Sequence, residues 1–145
     1  MEINKISLME AYMLETLRSN GVSDQELINQ IAKSDASPWQ ALSSQFDFNQ
    51  LIKIAEQDPN AFKSIVLDGY KVKFVTFKGI QTLLKLKFNK LQGHDYQLTE
   101  KSITDLKISE KQLFQLRQIL SKNWIIHETS PENSNLSKEI RIELT

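Results

Sequence analysis

The stretch "DLKISEKQLFQLRQILSKNWII", residues 105–126, constrains the fold of this chain more than any other segment. Ser109 and Gln112 are spaced as a capping box, in which a hydroxyl accepts from the third helical amide and the amide side chain reaches back, so a helix starts there. Leu113, Leu116 and Leu120 then fall on one side of that helix, and at about 100° per residue Lys111, Gln115, Gln118 and Lys122 fall almost opposite. Asn123 is suited to stop the helix, which is expected over 109–122, and a β-prone run follows. Upstream, Thr99 is suited to cap a short helix that buries Ile103 and Leu106, with Lys107 and Ile108 as the turn. Two helices joined so tightly cross at a steep angle.

The flanking segments carry their own signals. "WIIHE" and "EIRIEL" enclose "TSPENSNLSK", and Ile140, Ile142 and Leu144 alternate with Glu139, Arg141 and Glu143, which predicts a hairpin with one buried face and a polar tip. Residues 71–90, "KVKFVTFKGIQTLLKLKFNK", hold six lysines and no acid. Tyr70, Val72 and Phe74 alternate with Lys71 and Lys73, predicting a short strand after Asp68-Gly69. Phe77, Ile80, Leu84, Phe88 and Leu91 then recur at helical spacing, with Lys78, Thr82, Lys85 and Asn89 opposite. A lysine face of this kind suits the phosphates of a nucleic acid, an anionic lipid surface, or simple solvation.

The first sixty residues read as four short helices. Ile6, Met9, Met13 and Leu17 form one stripe ended by Asn20-Gly21; Ser23 and Glu26 open a second helix through Leu27, Ile28 and Ile31. Ser37-Pro38 starts a third with Trp39, Leu42 and Phe46, and Asp47 a fourth with Phe48, Leu51, Ile52 and Ala55. The methionines and Trp39 fit a core better than a ligand pocket, and Glu10, Glu15, Asp24, Glu26 and Asp58 read as a solvated surface. Residues 1–60 carry nine acids against four bases, and residues 61–145 fourteen bases against nine acids. The chain is therefore expected to divide into an acidic helical unit, 1–60, and a basic domain, 61–145, which either perform separate tasks or attract one another.

Several function classes are disfavoured. With no cysteine, the chain has no disulfide, thiol nucleophile or thiolate metal site. No apolar run is long enough for a bilayer, and the start lacks a signal-peptide pattern, so a cytoplasmic, non-membrane protein is expected. The four glycines form no phosphate-cradling loop, His94 and His127 lack partners at ligand spacing, and no nucleophile, base and acid can be grouped. No enzymatic activity, metal or cofactor is expected.

Helix, short helix, turn, helix and hairpin is the order of a winged helix-turn-helix. Residues 77–144 resemble that domain as found in bacterial MarR-like and related transcriptional regulators, and "ITDLKISEKQLFQLRQILSKNWIIHE" carries most of the likeness. Leu106, Lys107, Ile108 and Ser109 match the residues before the recognition helix, Leu113, Leu116 and Leu120 its buried positions, and Trp124-Ile125-Ile126 the first wing strand. Lys107 stands where glycine is common, and Glu110 places an acid in the reading helix. The resemblance implies a mainly α, α+β protein: an N-terminal helical unit, then a winged helix-turn-helix with a C-terminal hairpin wing. It further implies double-stranded DNA as partner, with Lys111, Gln112, Gln115, Gln118 and Lys122 toward the major groove, Lys78 and Lys85 on phosphates, and Lys138 or Arg141 approaching the backbone from the wing. On that reading the protein is a transcriptional regulator, and the N-terminal unit serves homodimerisation or binds a protein partner. The alternative is a non-enzymatic adaptor. Lysines dispersed away from Gln115, with Phe114 heading an apolar patch, would favour it.

Overall fold

The computed structural model describes residues 3–43, 45–129 and 138–144. The chain begins with a two-residue strand, β1 (Lys5–Ile6), and α1 (Leu8–Ser19) follows at once because Ser7 and Glu10 form a reciprocal capping box, with bonds of 2.8 and 3.0 Å. Ser23 caps α2 (Asp24–Ala32), and Pro38 lies in the first turn of the brief α3 (Ser37–Gln40). Then comes α4 (Asn49–Gln57), where Asp47 accepts from the Asn49 amide at 3.1 Å. A fifth helix absent from the sequence reading, α5 (Pro59–Leu67), is set by Asp58 as N-cap and Pro59 in the first turn.

The second part opens with β2 (Lys71–Val72) and α6 (Phe77–Phe88), capped by Thr76 and stopped by Asn89 in the left-handed conformation. Tyr70 and Val72 are buried as expected, but Phe74 is 63% exposed because the strand ends before it. After α6 come β3 (Gln97–Leu98), β4 (Ser102–Ile108), α7 (Glu110–Ile119), β5 (Trp124–Glu128) and β6 (Lys138–Leu144). The described chain is thus mixed α and β, with seven helices and a small antiparallel sheet of order β3-β4-β6-β5. The expected antiparallel pairing of 124–128 with 138–144 is present; the tip at 130–137 lies outside the described residues.

The expected helix at 99–106 does not form. That segment enters β4, so a strand, not a helix, precedes α7 and the helix pair carrying the resemblance is missing. The cause is a β-bulge. Asp105 takes φ 58° and the register slips between Ile103 and Leu106, so two residues facing the same side stand three apart instead of two. One inserted residue gives a strand the spacing of a helix. β-Branched Ile103, Thr104 and Ile108 favour the extended state.

In the sheet, Ile103 opposes Ile142, Leu106 opposes Ile140 and Ile126 opposes Ile142. These residues lie on the sheet's apolar face and join Leu113, Leu116 and Ile119 of α7 in the hydrophobic core. The other face carries Lys107, Glu139, His127 and Arg141 and is wet. Both β4 and β5 run antiparallel to β6 between them, so they are parallel to each other and joined through α7.

The expected division at residue 60 falls within α5, and elements from both sides of it are in contact. β1 pairs in parallel with β2, matching Lys5 with Lys71 and Ile6 with Val72. α1 packs on α6. Gly79 permits the close approach, since a Cβ there would stand 2.8 Å from Leu8 Cδ2. Lys71 Nζ donates to the Leu120 carbonyl at 2.9 Å, satisfying an acceptor at the end of α7. Trp124 Nε1 donates to the Val75 carbonyl at 2.7 Å while its ring stacks on Phe77. Among the described residues no helix is long and apolar enough to cross a membrane.

Candidate functional site: two grooves flanking α6

Two grooves open on either flank of α6, and Leu86 lines both. The first, of about 600 Å³, lies among α1, the end of α5, α6 and α7. Its floor is a polar cluster around Glu15, whose side chain is only 1% exposed. Glu15 Oε2 accepts from Arg18 Nη1 at 3.1 Å, Lys87 Nζ at 3.0 Å and the Tyr70 hydroxyl at 2.5 Å. Arg18 also donates to the Val66 carbonyl and to Asp24, at 2.9 and 3.3 Å. A buried carboxylate with two cations and a phenol is well satisfied. Burial, followed by the Glu15 charge and hydrogen bond, holds the Tyr70 phenol well above its ordinary value, so it remains a donor.

The rim of this groove is apolar. Leu67, at the end of α5, is 62% exposed and Phe114, on α7, is 72% exposed, and both line the opening. Lys111, Gln115 and Gln118 line it too, on the same stretch of helix. The outermost positions of α7 are Lys111, Phe114 and Arg117, whereas Gln115 and Gln118 are half-buried against the groove. Gln118 Nε2 donates to the Asp68 carbonyl at 3.1 Å, and its amide lies over Gly69. At φ 100° residue 69 holds a left-handed backbone that favours glycine, and a Cβ there would displace the Gln118 amide.

The second groove, of about 650 Å³, lies between α1, α6 and the segment after α6. Lys78, Lys85 and Lys90 line it, with Tyr12, Phe46 and Tyr96 and the amides of Gln45, Gln81 and Gln92. Among the described residues, no acid lines it. Met9 and Leu91, both expected inside apolar stripes, are 48% and 41% exposed and sit in this groove.

The residues singled out in the sequence are therefore divided. Lys78 and Lys85 share the second groove; Lys111, Gln115 and Gln118 share the first; Lys122 is exposed in the turn after α7 and lines neither. Gln112 closes the capping box of α7, accepting from the Ser109 amide at 3.0 Å. Lys138 pairs with Glu128 at 2.8 Å and Arg141 with Glu143 at 2.7 Å. Three residues apart on one strand, Lys138 and Arg141 point to opposite faces of the sheet. The hydrogen bond from Lys138 to Glu128 and their opposite charges lower the Glu128 carboxyl and raise the Lys138 amine from their ordinary values.

Several carboxylates read as solvated surface have structural roles: Glu15 is buried, Glu10 completes the cap of α1 and Asp58 caps α5. Glu15 was legible in one respect, since it follows Ala11 by one helical turn and so continues a buried stripe. Lys87 and Tyr70 gave no comparable signal, because their meeting with Glu15 depends on how α1 lies on α6. No family model, no curated protein and no solved structure matches the chain.

Proposed function

We propose that this protein is a non-enzymatic interaction module, an adaptor, whose first groove seats a partner segment bearing an apolar side chain next to a carboxylate. One observation carries the reading: Phe114 and Leu67, 72% and 62% exposed, face a single concave site. Leaving a side chain of that size in water forgoes about 1.5–3 kcal/mol of burial, and an aromatic exposed at the mouth of a groove with a polar floor has the composition of an interface anchor. Lys111 stands beside them with no ion pair to a described residue, while Arg18 and Lys87 are already engaged by Glu15. That leaves Lys111 to receive the partner's acid.

Reading of duplex DNA by α7 has less support. A strand precedes the helix, Gln112 and Gln118 are held by backbone groups, and Lys78 and Lys85 lie in a different groove from Lys111. The adaptor reading also makes use of Phe114, which a major groove has no reason to select.

The test is selection of displayed random peptides on the full chain. Enrichment of acidic peptides with an apolar anchor that no longer bind Phe114→Asp supports the reading. No enrichment, or peptides that bind Phe114→Asp equally well, overturns it. A sedimentation mass above the 16.8 kDa monomer that Phe114→Asp restores would assign the groove to a second copy of the chain instead.

A further inference from the structure

From the second groove we infer a further binding site, independent of the adaptor reading: it takes a single strand of nucleic acid, with phosphates on Lys78, Lys85 and Lys90 and bases against its aromatic and amide lining. The charge pattern is the first support. The chain has eighteen acidic and eighteen basic residues, yet among the described residues this groove collects three lysines and no acid. The first groove, by contrast, mixes Glu15, Asp24 and Asp68 with Arg18, Lys87 and Lys111.

None of Lys78, Lys85 and Lys90 makes an ion pair with a described residue, which leaves their charge available to an anionic ligand. Lys78 and Lys85 are seven residues apart on α6, about 10 Å along one face, and Lys90 extends the row past the end of the helix. Such a row follows a backbone of repeated phosphates better than it encloses one small anion.

The remaining lining indicates what accompanies the phosphates. Tyr12 and Phe46 are half-buried, with part of each side chain open to the groove, and Gln45 and Gln92 are exposed amides that donate and accept. Unpaired bases stack on aromatic faces and bond amides along their edges. A duplex keeps its bases stacked inside and would leave this lining without a partner. An anionic bilayer would engage the lysines, but the exposed Met9 and Leu91 line a hollow and do not form a protruding apolar face.

The experiment is fluorescence anisotropy of a labelled oligothymidylate, titrated with the full chain at several salt concentrations beside a duplex of the same length and phosphatidylserine vesicles. The strand is expected to bind at least tenfold more tightly than the duplex, and log affinity should fall with log salt at a slope of about −2, from three released counterions. Lys85→Glu and Lys78→Gln, both on exposed side chains, should each weaken binding about tenfold or more at low salt. Lys111→Glu, in the first groove, should change it less than twofold. No binding at low salt, a duplex bound as well as the strand, vesicles bound in place of the strand, or equal losses from Lys111→Glu and Lys85→Glu would each overturn the site. Peptide binding at Phe114 is read separately, so failure of either site does not decide the other.

Discussion

Glu15 and Lys87, 72 residues apart in sequence, meet at 3.0 Å with the carboxylate almost fully buried. The contact joins α1 to α6 and forms the floor of the first groove. Its value to stability is asymmetric. A buried pair contributes little net energy when intact, but removing one partner strands the other charge. Glu15→Ala is expected to destabilise the fold by about 3 kcal/mol, the low end for a buried pair, because Lys87 and Arg18 retain some access to water. Urea unfolding measures it, and a loss under about 1 kcal/mol would show that the cluster is not a joint between the helices.

Tyr70 gives this cluster a pH signature. Its phenol titrates above the ordinary 10.0, so the folded state holds that proton more tightly than the unfolded chain. The stabilisation is fully present below about pH 10 and is lost as pH rises through the folded value. Tyr70→Phe should cost about 1.5–3 kcal/mol at neutral pH, one hydrogen bond to a charged group. It should also remove part of the alkaline fall in stability; parallel pH profiles for the two proteins would contradict this.

Gly79 controls how closely α1 approaches α6. With Leu8 Cδ2 2.8 Å from the position of a Cβ, Gly79→Val overfills the contact and should destabilise by about 1–3 kcal/mol, despite removing a helix-weakening glycine. Thermal unfolding with calorimetry decides the sign.

At Asp105 a test distinguishes bulge from simple strand. If its left-handed backbone defines β4, Asp105→Gly should be nearly neutral, within about 0.5 kcal/mol, whereas Asp105→Ile should cost about 1–3 kcal/mol. Were ordinary strand propensity dominant, isoleucine would stabilise instead.

The bulge also marks where the sequence stopped being legible. Capping boxes and long amphipathic runs are local signals, and the starts of α7 and α6 and the pairing of 124–128 with 138–144 follow from them, whereas α6 stops at Asn89, short of the expected Leu91, and α7 at Ile119, short of the expected stop at Asn123. Ile103 and Leu106 have the spacing of a helix only because Asp105 is an extra residue, and the backbone angle that reveals it leaves no unambiguous trace in residue type. The unexpected α5 is different: Asp58 and Pro59 carry a helix-start signal, but Asp58 read as a solvated carboxylate just before the expected division at residue 60. For the grooves, Lys78 and Lys85 were legible as one face. That Gln118 turns toward the groove, leaving Phe114 outermost, goes with its hydrogen bond to the Asp68 carbonyl and its place over Gly69, a long-range contact no window around residue 115 contains.

Anchoring of a partner by Phe114 takes place, as proposed, in a groove separate from the lysine face. It is tested most directly by titrating a peptide enriched on the wild-type chain against wild type, Phe114→Asp and Lys85→Glu, with binding measured by anisotropy. A loss of about 2 kcal/mol, roughly thirtyfold in Kd, for Phe114→Asp with Lys85→Glu unchanged is the result the account requires. Equal affinity for wild type and Phe114→Asp, or a larger loss from Lys85→Glu, would contradict it.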